Sequence, residues 1–416
     1  MWGASTSGHQ VEGGNHDQWT VWELAHAAQL AKTAEKRLSK LRSWPRIKDQ
    51  AVKPETYISG AGVGHYHLYK EDFKLAKRLN LNSIRFAIEW ARIEPEEGKW
   101  DDKAIDHYHQ YIKQLKEADL EPVMNIWHWT MPTWFTDKGG FKNKQNLEYF
   151  YRFVEKVADE YAWQLKWIIT LNEPNVYTTF GYLTGEPTSG NWPPGEKSFL
   201  SFSRVYLNLM RAHRRAYKIL KSVNPAVQVS LAAQLANIQA KRPHNEIDEF
   251  TTRFMRYFWN WLFLRRVRHQ MDFIGVNYYF TDYYKDLGAR KDPVTPLSDM
   301  GWYMEPEGLY PLLLSVSRRF KNRPIIVTEN GVADATDEYR RWWIEETIVG
   351  MERAISEGVD LIGYFHWSLL DNFEWENGWW PKFGLIEVDR EHGMKRTIRS
   401  SARWFADRIE KLSSLK

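Results

Sequence analysis

Short apolar runs alternate with longer amphipathic stretches along most of the chain. Eight runs read as strands, at 2–7, 83–89, 122–127, 167–173, 227–233, 272–279, 324–329 and 361–367. Most are continuous apolar stretches rich in β-branched and aromatic residues, the signature of strands buried on both faces. Between them, segments 66–79, 105–118, 147–161, 201–223 and 342–358 place apolar residues at i, i+3, i+4 and i+7. That stripe is the one a helix buries when it packs along one side. Strand–helix alternation repeated eight times predicts an α/β fold, a single closed (β/α)8 TIM barrel spanning 1–416. An open doubly wound sheet is the competing architecture, but no Gly-rich phosphate turn follows the first strand.

One connection breaks the rhythm. Residues 31–53 carry Lys32, Lys36, Arg37, Lys40, Arg42, Arg46, Lys48 and Lys53, within a basic insert at about 31–60 after the first strand. Such a charge run predicts a solvated helix or flap at the barrel mouth. The Gly/Pro-rich loop 185–195 follows the fourth strand and is expected at the same mouth. No low-complexity segment or linker divides the chain.

Composition narrows the classes. The chain has 57 basic and 53 acidic residues, so the net charge of +4 gives no reason to invoke nucleic acid or an anionic membrane. The absence of cysteine excludes disulfides, thiolate metal sites and thiol nucleophiles. No apolar run approaches the ~20 residues of a membrane span. With no charged leader or apolar h-region, the expectation is a soluble cytoplasmic protein. The 22 Trp stand out. A tryptophan offers a flat apolar face and an N–H donor, which suits a sugar ring, although many of these rings are expected to fill the core.

Candidate chemistry gathers at the carboxyl ends of the predicted strands. Asn172 and Glu173 end the fourth, where Pro174 stops the ladder, and Glu329 ends the seventh. Gln10, Arg85 with Glu89, His128, Tyr279 and Trp367 follow or end others, and Gln234 is a weak candidate on the fifth. Barrel enzymes build their sites on this face. Two carboxyl groups across one pocket suggest glycoside hydrolysis, one protonated to assist the leaving oxygen and the other ionised to attack. Arg85 and Tyr279 are expected to hold Glu329, while burial and the neighbouring charge raise Glu173. Direct attack requires carboxyl oxygens ~5 Å apart.

Thr170-Leu-Asn-Glu-Pro174 and Val327-Thr-Glu-Asn-Gly331 resemble the two catalytic motifs of glycoside hydrolase family 1, the retaining β-glycosidases. The resemblance extends through Trp2–Gly13, Arg85–Trp90, His128–Pro132, Gly275–Tyr279, His366–Trp375 and Lys382–Leu385. It implies Glu173 as general acid/base, Glu329 as nucleophile, and Arg85, Asn172, Asn277 and Tyr279 in support. It implies a sugar site of Gln10, His128, Trp129, Trp367, Glu374 and Trp375, with no metal or cofactor. The expected substrates are small β-glucosides, with β-galactosides, β-fucosides and short β-linked oligosaccharides, and no nucleic acid or membrane partner. Glu374 opposes a phosphorylated sugar, and an intact Glu173 favours O-glycosides over thioglycosides. Asn175, the short 234–271 region and the basic insert depart from the family pattern, all on the leaving-group side.

Three other readings compete. An endo-acting β-glucanase and a non-catalytic sugar-binding barrel share the aromatic pocket. A metal hydrolase could use His65 with His67, or His107 with His109, but those pairs sit at predicted helix starts, where packing roles are expected.

Overall fold

Eight parallel strands close into a barrel. They are β1 (Trp2–Ser5), β2 (Ser83–Ala87), β3 (Glu121–Asn125), β4 (Trp167–Asn172), β5 (Gln228–Gln234), β6 (Ile274–Tyr278), β7 (Ile325–Asn330) and β8 (Leu361–Trp367). Each pairs with its sequence neighbours, and β1 closes the ring by pairing with both β2 and β8. This computed structural model describes residues 1–184, 192–290, 296–321 and 323–414. Residues 185–191, most of the loop expected at the mouth, lie outside that set.

All eight predicted runs form strands, and the five amphipathic segments form helices His65–Arg78, Asp102–Glu117, Leu147–Tyr161, Phe199–Val223 and Arg340–Ser356. Local chemistry sets the ends. The Asp101 side chain accepts from the amides of Lys103 and Ala104, and Ser198 from that of Ser201, satisfying donors that a first helical turn leaves unpaired. Several predicted strands overran by one or two residues. Ser7, Glu89, Trp127 and Glu173 lie just past the ladder, and of these Glu173 faces the mouth.

Two features of the barrel position the site. First, its lower interior is an apolar plug built from Val123, Trp167, Ile169, Ala232, Phe273, Ile326 and Phe365, so the polar residues above rest on a dry floor. Second, the ladder slips where the chemistry begins. Register shifts fall between Ile169 and Asn172 against β5, and between Val327 and Glu329 against β6. Bulges of this kind re-aim side chains beside active sites.

The basic insert is more than a wet face. Its lysines are exposed, as expected, but Ala34, Leu38, Ile47 and Ala51 bury against Trp380 to form a small separate core. Arg46 pairs with Asp299 at 2.5 Å, and Ser43 donates to the Asp299 carbonyl at 2.7 Å. Two short sheets were not anticipated: Asn237–Ala240 with Thr281–Lys285 and Gly288–Arg290, and Ile386–Asp389 with Lys395–Ile398.

Gly331, immediately after β7, passes so close to β8 that a Cβ there would lie 1.9 Å from the Trp367 carbonyl oxygen. Gly331→Ala is therefore expected to destabilise the barrel by at least about 2 kcal/mol, seen as a lower urea midpoint. Ala at Gly358, where an added Cβ meets nothing within 4 Å but φ is +89°, should cost less.

Candidate active site

Glu173 stands at the end of β4 in a left-handed conformation, φ 43°, immediately before Pro174. A non-glycine residue there is strained, and the strain is held by its amide donating to the Ala232 carbonyl at 2.8 Å. Trp129 (φ 74°) and Trp375 (φ 49°) share the feature, so three residues of the pocket depend on neighbours for their geometry.

Glu173 and Glu329 line the same cavity, of about 540 Å³, together with His128, Trp129, Tyr279, Trp367, Glu374 and Trp375. Arg85, Asn172 and Asn277 lie one layer behind, fully buried, and join the two carboxyl groups. Arg85 donates one N–H to Glu329 Oε1 and another, at 2.6 Å, to Asn172 Oδ1. Asn277 Nδ2 donates to Asn172 Oδ1 at 3.1 Å and to Glu173 Oε1 at 2.7 Å, while its own Oδ1 accepts from Thr328 at 2.6 Å. Tyr279 donates to the other Glu329 oxygen at 2.6 Å.

The two carboxyl groups therefore sit in unlike surroundings. Both oxygens of Glu329 accept from donors, one of them a cation. Glu173 receives only an amide, and burial holds it well above the ordinary carboxylate range; the charge of Glu329 adds to that, against Asn277 and Arg85. Glu374 is raised well above its usual range by burial, then by Glu376, Glu329 and Glu173.

Most of the remaining predicted residues, His128, Trp129, Trp367, Glu374 and Trp375, line the same cavity. Burial, then Arg85 and His9, keep His128 well below its usual value, so the ring is neutral. Asn172 Nδ2 lies 3.0 Å from its Nε2, and Asn125 Nδ2 lies 3.2 Å from its Nδ1. The ring stacks near Trp367 and Trp375, with centroids 5.9 and 6.1 Å away. Trp129 is fixed by donating to the Asn172 carbonyl at 2.9 Å. Gln10 does not line the cavity. It sits behind Glu374, donating to the Phe373 carbonyl at 2.7 Å, and its Oε1 has no protein partner. Gln234 lines the outer lobe, and Asn175, flagged as a departure, donates to its carbonyl at 2.8 Å.

Asn330 belongs to the wall: it donates to the Tyr278 carbonyl and accepts from Trp343. The histidine pairs are likewise engaged in packing. His65 bridges Asp72 and Tyr111, both at 2.8 Å, and His107 stacks on Tyr66 at 3.6 Å. Among the described residues, no three metal-ligating side chains converge.

Several pocket residues escaped the sequence reading. Trp192 donates to Glu376 at 2.6 Å and packs on Trp129 at 4.4 Å; it belongs to the 185–195 loop expected at the mouth, although the residue itself was not singled out. Arg37 and Leu38 reach the cavity from the basic insert. Beneath Trp375 lies His9, its ring parallel at 5.4 Å, bonded to Asp17 at 2.9 Å and Glu23 at 2.7 Å. Burial opposes its charge, but the two carboxylates outweigh burial and hold His9 well above its ordinary value.

The sequence profile of glycosyl hydrolase family 1 matches residues 1–268 and 263–413. The chain belongs to this family. It is 29% identical to the 1,4-beta-D-glucan glucohydrolase of Thermotoga neapolitana, across 99% of this chain and 97% of the relative. It is 26% identical to Beta-glucosidase A of Acetivibrio thermocellus, over 99% and 97% of the two chains. A solved beta-glycosidase from Pyrococcus horikoshii superposes with a TM-score of 0.84 at 31% identity, covering 98% of this chain and 93% of that one. This family 1 protein is thus a glycoside hydrolase of the β-glucosidase type on a TIM barrel.

Glu89, next to His9, accepts from the His9 amide and Thr130, and burial, then Glu12 and Asp17, push it up to about 8. The folded state therefore keeps a proton that an unfolded carboxyl, near 4.5, has lost, and stability falls as pH rises between those values. Glu89→Gln cannot lose that proton. Urea unfolding at pH 5 and pH 8 should show the variant's stability falling less than the wild type's, by at least about 1 kcal/mol.

Proposed function

We propose that this family 1 enzyme is a retaining, exo-acting β-glycosidase. Its substrates are unphosphorylated β-glucosides, together with β-galactosides, β-fucosides and short β-linked oligosaccharides. The observation that carries the reading is the unlike pair of carboxyl groups on one cavity. Glu173 has the environment of a protonated acid, and Glu329 that of an oriented anion.

In the first half-reaction Glu329 attacks the anomeric carbon as Glu173 protonates the departing oxygen. In the second, Glu173 takes a proton from water, which displaces Glu329 and restores the original anomeric configuration. Glu374 and His128 supply hydrogen bonds to sugar hydroxyls over the Trp367 face, with Asn172 and Gln10 holding them from behind. Among the described lining residues Arg37 is the one Lys or Arg, set against the anionic Glu329, and this supports an unphosphorylated sugar. Exo action is supported by the packed rings of Trp19, Trp129, Trp192 and Trp375 at the sugar end.

The leaving-group lobe is apolar, with Val176, Phe180, Ile238, Met255, Trp259 and Phe280, which supports aryl or alkyl aglycones. Asp282 also faces it and is pushed up to about 6 by burial.

NMR of early products from an aryl β-glucoside should show the β-anomer first; the α-anomer first contradicts retention. Glu329→Gln should lower kcat at least about 10³-fold. The acid must carry its proton, so activity should fall as pH rises through the raised value of Glu173, and Glu173→Gln should lose that alkaline limb on activated substrates. Viscosity loss in a β-glucan that outpaces sugar release would favour the endo reading. A lack of turnover across a broad β-glycoside panel would favour a binding barrel.

A further inference from the structure

The small net charge averages over a strong local imbalance. From residue 197 to 271 there are 14 Lys and Arg but only three acids, Glu246, Asp248 and Glu249. Asp248 is buried and paired with Arg242 at 2.8 Å, which leaves two acids toward solvent.

The same stretch exposes large apolar side chains to an unusual degree. Phe199, Leu200, Phe250 and Phe254 are 70, 60, 63 and 57% exposed. Ile247, Phe250, Phe254 and Tyr257 recur at helical spacing, so they form one outward stripe on the helix Glu246–Met255 and its continuation Arg256–Trp261. The patch is continuous with Phe199, since the rings of Phe199, Phe202, Phe258 and Phe254 follow one another at 6.0, 5.9 and 6.3 Å. Leu287, 81% exposed at the tip of the adjacent hairpin, is brought beside the helix by Thr251 donating to the Asp286 carbonyl at 2.7 Å.

This surface borders the active-site cavity. The inner side of the same helical segment supplies Met255 and Trp259 to the leaving-group lobe. Exposed Arg253 lies on the same helix as Phe250 and Phe254, and the Arg265 guanidinium sits 5.6 Å above the Tyr257 ring.

Exposed aromatic and aliphatic groups interleaved with arginines, with Glu246, Glu249 and the Arg242-paired Asp286 as the acids nearby, match the headgroup region of an anionic bilayer. There apolar side chains enter the acyl boundary while guanidinium groups remain with the phosphates. No described helix is long and apolar enough to cross a membrane, so the contact would be peripheral. We propose that this face docks on the surface of an anionic lipid bilayer. The leaving-group lobe is thereby set beside the lipid, where amphiphilic β-glycosides gather. That consequence rests on the glycosidase reading, but the docking does not.

Flotation of the intact protein with phosphatidylcholine vesicles, with and without phosphatidylglycerol, tests it. The wild type should bind the anionic vesicles and lose them as salt rises, with affinity for neutral vesicles at least about tenfold weaker. Phe250→Ser with Phe254→Ser should weaken anionic binding at least about tenfold. Hydrolysis of a soluble aryl β-glucoside, measured without vesicles, should stay within about twofold. Arg253→Gln with Arg265→Gln, both on the surface, should weaken it too and guards against misfolding of the first pair. Failure to bind anionic vesicles, equal binding to neutral ones, or binding untouched by either pair overturns the proposal. So does light scattering that shows a wild-type oligomer dissociated by the phenylalanine changes, which would make this face a contact between copies of the chain.

Discussion

A buried guanidinium set between carboxyl groups is the constraint around which the barrel mouth is built. Arg85 is fully buried and touches Glu329 and Asn172 directly. Removing a cation from water is tolerable only where anions and oriented dipoles replace the lost hydration. Asn277, Thr328 and Tyr279 extend those contacts to the other members of the site, each with a partner of its own. The result is a hydrogen-bonded frame in which one carboxyl has a cation and the other does not. The chemical difference between Glu173 and Glu329 is thus a property of the frame, since the two side chains are identical.

The frame depends on backbone irregularity placed at the right height. A regular ladder would carry β4 and β7 straight on; instead both change register within three residues of their glutamates. The apolar plug below fixes how far down the polar layer can sit, and the close pass of Gly331 against Trp367 fixes β7 against β8. Strain at Glu173 is held by a backbone hydrogen bond to β5. Packing energy from the lower barrel therefore supports a site whose own geometry is unfavourable.

Much of this was legible in the sequence. Continuous apolar runs gave the strands because each lies between a packed interior and a helical coat, and chemistry-bearing residues at their ends marked the mouth. Arg85, Asn172 and Tyr279 could be found because each sits on or just after a strand, and Asn277 came through the family resemblance. What stayed hidden comes from elsewhere. Trp192, Arg37 and Leu38 arrive on long connections whose paths no local pattern fixes. His9 is one residue from Gln10, but its partners Asp17 and Glu23 become neighbours only after folding. The exposed aromatic stripe was hidden differently, because whole-chain charge conceals where the charges lie.

The central claim is that Glu329 makes the covalent bond while Glu173 moves the proton. A 2-deoxy-2-fluoro β-glucoside with an activated leaving group tests this directly, because the fluorine slows release of a glycosyl-enzyme more than its formation. Peptide mass spectrometry of the inactivated protein should find the fluorosugar on the peptide carrying Glu329. An adduct on Glu173, or continued turnover with no adduct and an inverted product, would contradict the account.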